Sequence, residues 1–352
     1  MTYGILMAGG IGSRFWPRSR EAYPKQFLNV FGSTSLLQQT FARIEPLIPA
    51  ARNYVVTHER YTALTNRQLP HVHVLAEPIS RNTAPCIAFA AIVLRAQDKD
   101  ATMVVLPADH QIHDEYQFRA VLEVAIEKAQ APGTLVTIGI KPSYAATGYG
   151  YIQYDGPTSE RVRAYPVKTF AEKPNLATAE RFLDSGDFLW NSGIFVWRAD
   201  TILEKMKQHL PGIFEAFEKA ASALGTPQEG EAIKAAYLRS TRISVDYGVM
   251  ERAKNVHVVP GAFGWNDIGD WRAVYDLSQK NNHGNVLHNQ VIVHDAGRCM
   301  VHGGSRLVVL VGTHDLLVVD TDDALLICHR ENAQQVKNVV EYLHARQLTE
   351  FV

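Results

Sequence analysis

From Thr2 to about Val259, short apolar runs alternate with stretches whose apolar residues recur every three or four positions. That is the pattern of parallel strands joined by crossover helices. Residues 3–7, 54–57, 103–106 and 135–140 read as buried strands. Between 35 and 47, Leu37, Phe41 and Ile44 keep spacings of four and three, so a helix is expected there with Ser33 or Thr34 as its cap. Ile87, Ala91 and Leu94 line one face of a helix that follows Pro85. Residues 168–197 hold two strand-like runs on either side of a helix near 177–183, and helices continue over 200–238. After Trp271 the rhythm changes to short strands at 291–293, 307–311, 316–319 and 324–328, punctuated by Gly and Asp. A helix from about 332 to 347 follows, with Val336, Val340 and Leu343 as its buried stripe. The short strands suit a few coils of a β-helix. An α/β domain over 1–280 and a small β-rich domain over 285–352 are expected.

Length supports that division, because 352 residues exceed what one hydrophobic core usually organises. Apolar residues at 46% and charged residues at 20% are ordinary globular values, and no tract is biased enough to stay disordered. A net charge of −1 gives no general attraction to nucleic acid or to an anionic membrane. Any phosphate site must then be a local cluster of basic groups, and the partner small. The opening MTYGILMAGG lacks the basic start and sustained apolar core of a signal peptide, and no apolar run approaches the roughly 20 residues that span a bilayer. Cys86, Cys299 and Cys328 are odd in number and lack metal-ligand spacing, which fits reduced thiols and a cytoplasmic location.

The candidate chemistry is concentrated in residues 6–27, LMAGGIGSRFWPRSREAYPKQF. A buried strand runs into Gly9, Gly10 and Gly12, which let the backbone turn tightly and bring its N–H groups close to a polyphosphate. Arg14 and Lys25 add fixed positive charge. Such turns also serve merely to pack loops. Phe15 stands where a dinucleotide fingerprint needs its third glycine, and no GK[ST] follows as in a P-loop. In AEPISRNTAP, Glu77, Arg81, Asn82 and Thr83 stand at the mouth of a helix, where they either cap it or meet a polar ligand. VVLPADH puts Asp109 just beyond the C-terminal end of a buried strand, the edge at which open α/β sheets bind ligands. GWNDIGDW offers Asp267 and Asp270, and all three aspartates equally suit turns or helix caps. GYGYI, FAEKP and WNSGIF are by composition ordinary strand ends.

The first of these segments resembles the signature loop of sugar nucleotidyltransferases, GxGxR followed by PK, in the WPxSR and PKQF variant seen in mannose-1-phosphate guanylyltransferases. EPxxRNTAP is similar to that family's motif beside the nucleotide base. The resemblance implies the nucleotide-diphospho-sugar transferase fold: a Rossmann-like, mixed, mostly parallel sheet flanked by helices, ahead of the β-helix-like domain. It implies that the backbone of Gly9, Gly10, Gly12 and Ser13, with Arg14, holds a triphosphate, and that Lys25 contacts phosphate near the reacting centre. Glu77, Arg81, Asn82 and Thr83 would then touch base and ribose. Gly148, Glu172, Lys173, Asn191 and Gly193 match the sugar side, with Lys173 on the sugar phosphate. Asp109 and Asp267 match the pair that holds Mg²⁺ or another divalent cation, and Asp270 is left as a helix cap.

The reaction so implied is transfer of GMP from GTP to α-D-mannose 1-phosphate by direct in-line attack, with Arg14, Lys25 and Lys173 opposing charge repulsion. His110, beside Asp109, is not expected to be a base, because a phosphate nucleophile with a second pKa of about 6 is already an anion. Neither nucleic acid nor membrane is an expected partner, and a homodimer is left open. Three other readings stand: the same chemistry with another base or sugar, a non-catalytic sensor of sugar nucleotides, and a nicotinamide-dependent oxidoreductase. The missing third glycine speaks against the last.

Overall fold

The computed structural model of the chain describes residues 1–156 and 162–352. They form two compact units that do not follow sequence order. The first is Met1–Gly9, Thr40–Ala108 and Ile112–Trp265; the second is Gly10–Gln39, Asp109–Gln111 and Asn266–Val352. The expected division at 280–285 therefore falls inside the second unit, and the glycine-rich loop is grouped with the β-rich tail. Shared burial is the reason. Phe15, Trp16, Leu28, Val30 and Leu36 lie in one apolar core with Trp271, Met300, Leu317, Val319, Val336 and Val340.

The first unit is built on a nine-stranded sheet. Its strands are β1 (Thr2–Ala8), β2 (Asn53–His58), β3 (His73–Glu77), β4 (Thr102–Pro107), β5 (Leu135–Ile140), β6 (Tyr151–Tyr154), β7 (Tyr165–Ala171), β8 (Phe188–Arg198) and β9 (Val256–Gly261). They lie side by side in the order β3-β2-β1-β4-β8-β5-β9-β7-β6. The sheet is mixed, as expected. Pairing is parallel through β3-β2-β1-β4 and between β5 and β9. Elsewhere it is antiparallel, so "mostly parallel" describes only the half that leads to the glycine-rich loop. β8 accounts for three of these pairs: its eleven residues run antiparallel to β4 through one end, to β6 through the other and to β5 along most of their length, while β7 pairs antiparallel with β9 and β6.

The strands expected at 3–7, 54–57, 103–106 and 135–140 are present, each buried nearly throughout. The helix Leu36–Ile44 begins just after Ser35, later than its expected cap. Ser35 Oγ accepts from the Gln38 N–H at 3.1 Å while Gln38 Oε1 accepts from the Ser35 N–H at 3.0 Å, a reciprocal cap that Ser33 and Thr34 stand too early to make. The helix Thr83–Gln97 is apolar all round, with Ala84 to Ile92 wholly buried, so it has no single buried face to read. Its small residues let the helices Ala199–His209 and Pro211–Ala221 pack close on it.

In the second unit, Val286–His288, Met300–His302 and Leu316–Asp320 stack in parallel register, and Val291–His294 pairs with Val308–Val311 on another side. This is a short β-helix, closed by Leu325–His329 running antiparallel to Leu316–Asp320. Successive strand residues face opposite ways. Val301, Val318 and Leu310 fill the coil interior, whereas Met300, Leu317 and Val319 face the core shared with the loop. The helix Val336–Ala345 adds Val336 and Val340 to that core, as its stripe predicts. Among the described residues no helix is long and apolar enough to cross a membrane, and all three cysteines are free thiols.

Candidate active site

In the second unit the loop is organised by Gly12 and Lys25. Gly12 has φ +75°, which favours glycine, and a Cβ there would sit 2.3 Å from the Lys25 Cβ. The Lys25 N–H donates to the Ile11 carbonyl at 3.0 Å and Ser19 Oγ donates to the Gly12 carbonyl at 2.6 Å, so both arms of the loop are tied. Lys25 is only 7% exposed. Its ammonium donates to Asp109 Oδ2 at 2.8 Å and to the Asp267 carbonyl at 2.8 Å, and lies 5.3 Å above the Phe15 ring. One cation thus ties the Asp109 carboxylate to the backbone of Asp267.

Burial works to raise the Asp109 carboxyl, but the adjacent Lys25 ammonium and His110 outweigh it and hold it below the usual carboxylate range. His110 stands 3.9 Å from Asp109 Oδ1. Arg14 leaves its Nε buried without a hydrogen-bond partner. An unpaired buried guanidinium N–H is costly unless an acceptor arrives. Asp270 is the expected helix cap, accepting from the Ala273 N–H at 3.1 Å, and it also accepts from Gln334 Nε2 at 2.7 Å.

In the first unit, Glu77 ends β3 and is buried. It accepts from the Tyr237 hydroxyl at 2.9 Å. Burial raises its carboxyl to about 7, the tyrosine bond opposing. A Cβ on Gly9 would meet Glu77 Oε2 at 3.4 Å. Arg81 Nε donates to the Tyr237 carbonyl at 3.3 Å, and Thr83 Oγ1 accepts from the Val245 N–H at 2.9 Å. Asn82 does what the helix-cap reading allows: at φ 69° its Oδ1 accepts from the Thr83 N–H at 2.8 Å.

A second cluster of the same unit surrounds Asn191. Its Oδ1 accepts from Thr137 Oγ1 at 3.1 Å and from the Gly193 N–H at 3.2 Å, and its Nδ2 donates to Asp246 Oδ1 at 2.8 Å. Glu172 pairs with Lys173 at 3.0 Å, and its Oε2 is buried without a partner. Burial, with Asp246 nearby, raises the Glu172 carboxyl; burial likewise raises Asp246, Asn191 opposing. Burial would lower Lys173, but the Glu172 carboxylate holds it above its ordinary value. Gly193, at φ +71°, needs to be glycine. Gly148 has open space around it; the glycine that permits close approach is Gly150, where a Cβ would fall 2.3 Å from Glu172 Oε2. Tyr149 packs edge-on against Trp190 and Trp265 at 5.1 and 5.4 Å, an aromatic wall beside these polar groups.

Sequence reasoning misses Asp246, Gly150 and the aromatic wall. Asp246 starts a single π-helical turn, Asp246–Met250, that no local residue pattern announces. Repeated GYG gives a visible signal for Gly150, with nothing to choose it over Gly148. Among the described residues no group of three or more His, Cys, Asp or Glu is placed to hold a metal. Mg²⁺ takes one or two protein carboxylates and leaves the rest to phosphate and water, and the Asp109 carboxylate, paired with Lys25 and held ionised, is a donor of that kind.

Residues 3–284 match the nucleotidyl transferase family, and 289–343 match the mannose-phosphate isomerase/GMP-like β-helix domain. The chain is similar to a mannose-1-phosphate guanylyltransferase of Escherichia coli K12, 41% identical over 97% of this chain and 73% of the relative. It is similar also to one of Salmonella muenchen, 39% identical over 98% of this chain and 74% of the relative. A solved structure from Thermus thermophilus, described as a mannose-1-phosphate geranyltransferase, superposes with a TM-score of 0.88 at 33% identity, covering 97% of this chain and 99% of that one.

Proposed function

Since the chain belongs to the nucleotidyl transferase family, as a mannose-1-phosphate guanylyltransferase, we propose how its own residues carry out that reaction. The enzyme transfers GMP from GTP to mannose 1-phosphate, giving GDP-mannose and pyrophosphate. An oxygen of the sugar phosphate attacks the α-phosphorus, and pyrophosphate leaves in line. Both reactants are polyanions, so positioning and charge neutralisation are the main tasks of the protein.

The observation that carries this reading is the Lys25 ammonium, buried beneath Gly12 and held between the Asp109 carboxylate and the Asp267 carbonyl. A lysine so fixed presents its charge without losing rotamer entropy during the reaction. The N–H groups of Gly9, Gly10, Gly12 and Ser13 would face the triphosphate, and the unpartnered Arg14 Nε awaits a phosphate oxygen. Asp109 and Asp267 would hold Mg²⁺, which when bound would supply positive charge against the charge that develops on the phosphates. Glu77, Arg81 and Thr83 would contact the nucleoside, while Glu172, Asn191 and Gly193 serve the sugar hydroxyls and Lys173 its phosphate. Asp246 holds the Asn191 amide in one orientation, leaving its second N–H for substrate.

Joint retention of Arg14, Lys25, Asp109 and Asp267 favours catalysis over a sensor role. The test is pyrophosphate release from a matrix of four nucleoside triphosphates against several sugar 1-phosphates. GTP with mannose 1-phosphate should be fastest, since buried polar partners reject a base that leaves them unpaired. UTP or dTTP turning over faster than GTP would overturn the assignment.

A further inference from the structure

The loop that would carry the triphosphate is fastened chiefly to the tail. The Trp271 indole N–H donates to the Trp16 carbonyl at 3.0 Å in a buried bond, and its ring meets Phe15 at 5.2 Å. Phe15 is the face on which the Lys25 ammonium rests. Trp16 in turn donates from its own indole N–H to the Phe351 carbonyl at 2.7 Å. Arg18 Nη1 reaches Nδ1 of His302 at 3.3 Å, and the His302 ring leans on Trp271 at 5.3 Å. Burial, with Arg18 and His288 beside it, lowers the His302 imidazole to about 3, so the ring is uncharged and its Nδ1 can accept from the guanidinium. Arg20 pairs with Asp323 at 2.9 Å. The terminal helix packs against the turn Ser13–Phe15 that contains Arg14.

We propose that the chain from Trp271 onward, through the helix Trp271–Leu277, the β-helix and the C-terminal turn, positions the nucleotide loop, with Trp271, His302, Asp323 and the Phe351 carbonyl holding residues 15–20 so that Arg14 and Lys25 meet the triphosphate in register. This rests on the guanylyltransferase reading above. The tail then contributes to catalysis without touching substrate. Small displacements of positioned groups are expensive: a misplacement of about 1 Å can cost on the order of a hundredfold in rate.

The experiment is steady-state kinetics in both directions on the full chain and its Trp271→Phe and Asp323→Asn variants. Trp271→Phe keeps an aromatic ring but strands the Trp16 carbonyl; the KM for GTP, and for pyrophosphate in reverse, should rise about tenfold. The KM for mannose 1-phosphate should stay unchanged. Asp323→Asn sits at an exposed end of an ion pair and leaves the core intact, so a two- to threefold rise of roughly the same pattern is expected. Arg298→Ala, whose ion pair with Asp315 lies wholly within the tail, should leave all constants unchanged. A purely structural role would lower the active fraction and leave each KM alone. Unchanged KM for GTP in both loop-facing variants would overturn the proposal. Failure of the wild type to release pyrophosphate from GTP and mannose 1-phosphate would instead refute the functional reading on which it rests.

Discussion

Replacing Glu77 by Gln should make the protein more stable at alkaline pH and leave it unchanged in acid. Glu77 is buried, and its carboxyl is raised from 4.5 to about 7. Between those values the native state keeps a proton that the unfolded chain has released, so stability falls as pH rises through this window. Each pH unit of displacement is worth about 1.4 kcal/mol, so the loss amounts to about 3 kcal/mol once pH exceeds about 7. Gln carries no titrating proton and still accepts from the Tyr237 hydroxyl. Urea unfolding of the two proteins at a series of pH values isolates the effect, because every other titrating group cancels in the difference. The variant should gain nothing below about pH 4.5, and its advantage should climb to about 3 kcal/mol above about pH 7. Two stability curves that run parallel across the range would refute the burial of an uncompensated carboxyl at this position.

Asp109→Asn and Asp267→Asn should each stay folded by circular dichroism and lose most pyrophosphate release, since each removes a negative ligand from the proposed Mg²⁺ site; near-normal turnover in either would remove that residue from it. His110→Gln should retain substantial turnover where Lys25→Ala and Arg14→Ala lose far more, and the wild-type rate should flatten above about pH 7 once the sugar phosphate is fully ionised; a His110→Gln enzyme as inactive as Lys25→Ala, with GTP and Mg²⁺ binding intact, would require a general base.

Where an element is buried on both faces, its sequence announces it, which is why β1, β2, β4 and β5 are legible to within a residue or so at each end. β3 is not, because His73–Glu77 is partly exposed and too mixed to stand out as an apolar run. Val286–His288 and Met300–His302 escape notice because three residues carry no periodicity, although their stacking builds the β-helix. At the site the residue types are readable and their partners are not. Lys25 finds Asp109 across 84 positions and the Asp267 carbonyl across 242, separations that no local pattern encodes. Asp246 shows the same limit more sharply: nothing near it in sequence points to Asn191, 55 residues away.

Phe15, Trp16, Leu28 and Val30 are made well before the residues that cover them, from Trp271 to Val340, which follow hundreds of positions later. The bond between Trp16 and Phe351 spans 335 positions, which at typical rates of translation means roughly twenty seconds to a minute before its acceptor exists. For most of that interval these apolar side chains lack the tail residues that cover them, and closing so long a loop carries an entropic cost that the assembled tail must offset. Translation and assembly therefore run in opposite order: the nucleotide loop is made before the tail and cannot be fixed in place until the tail has folded around it.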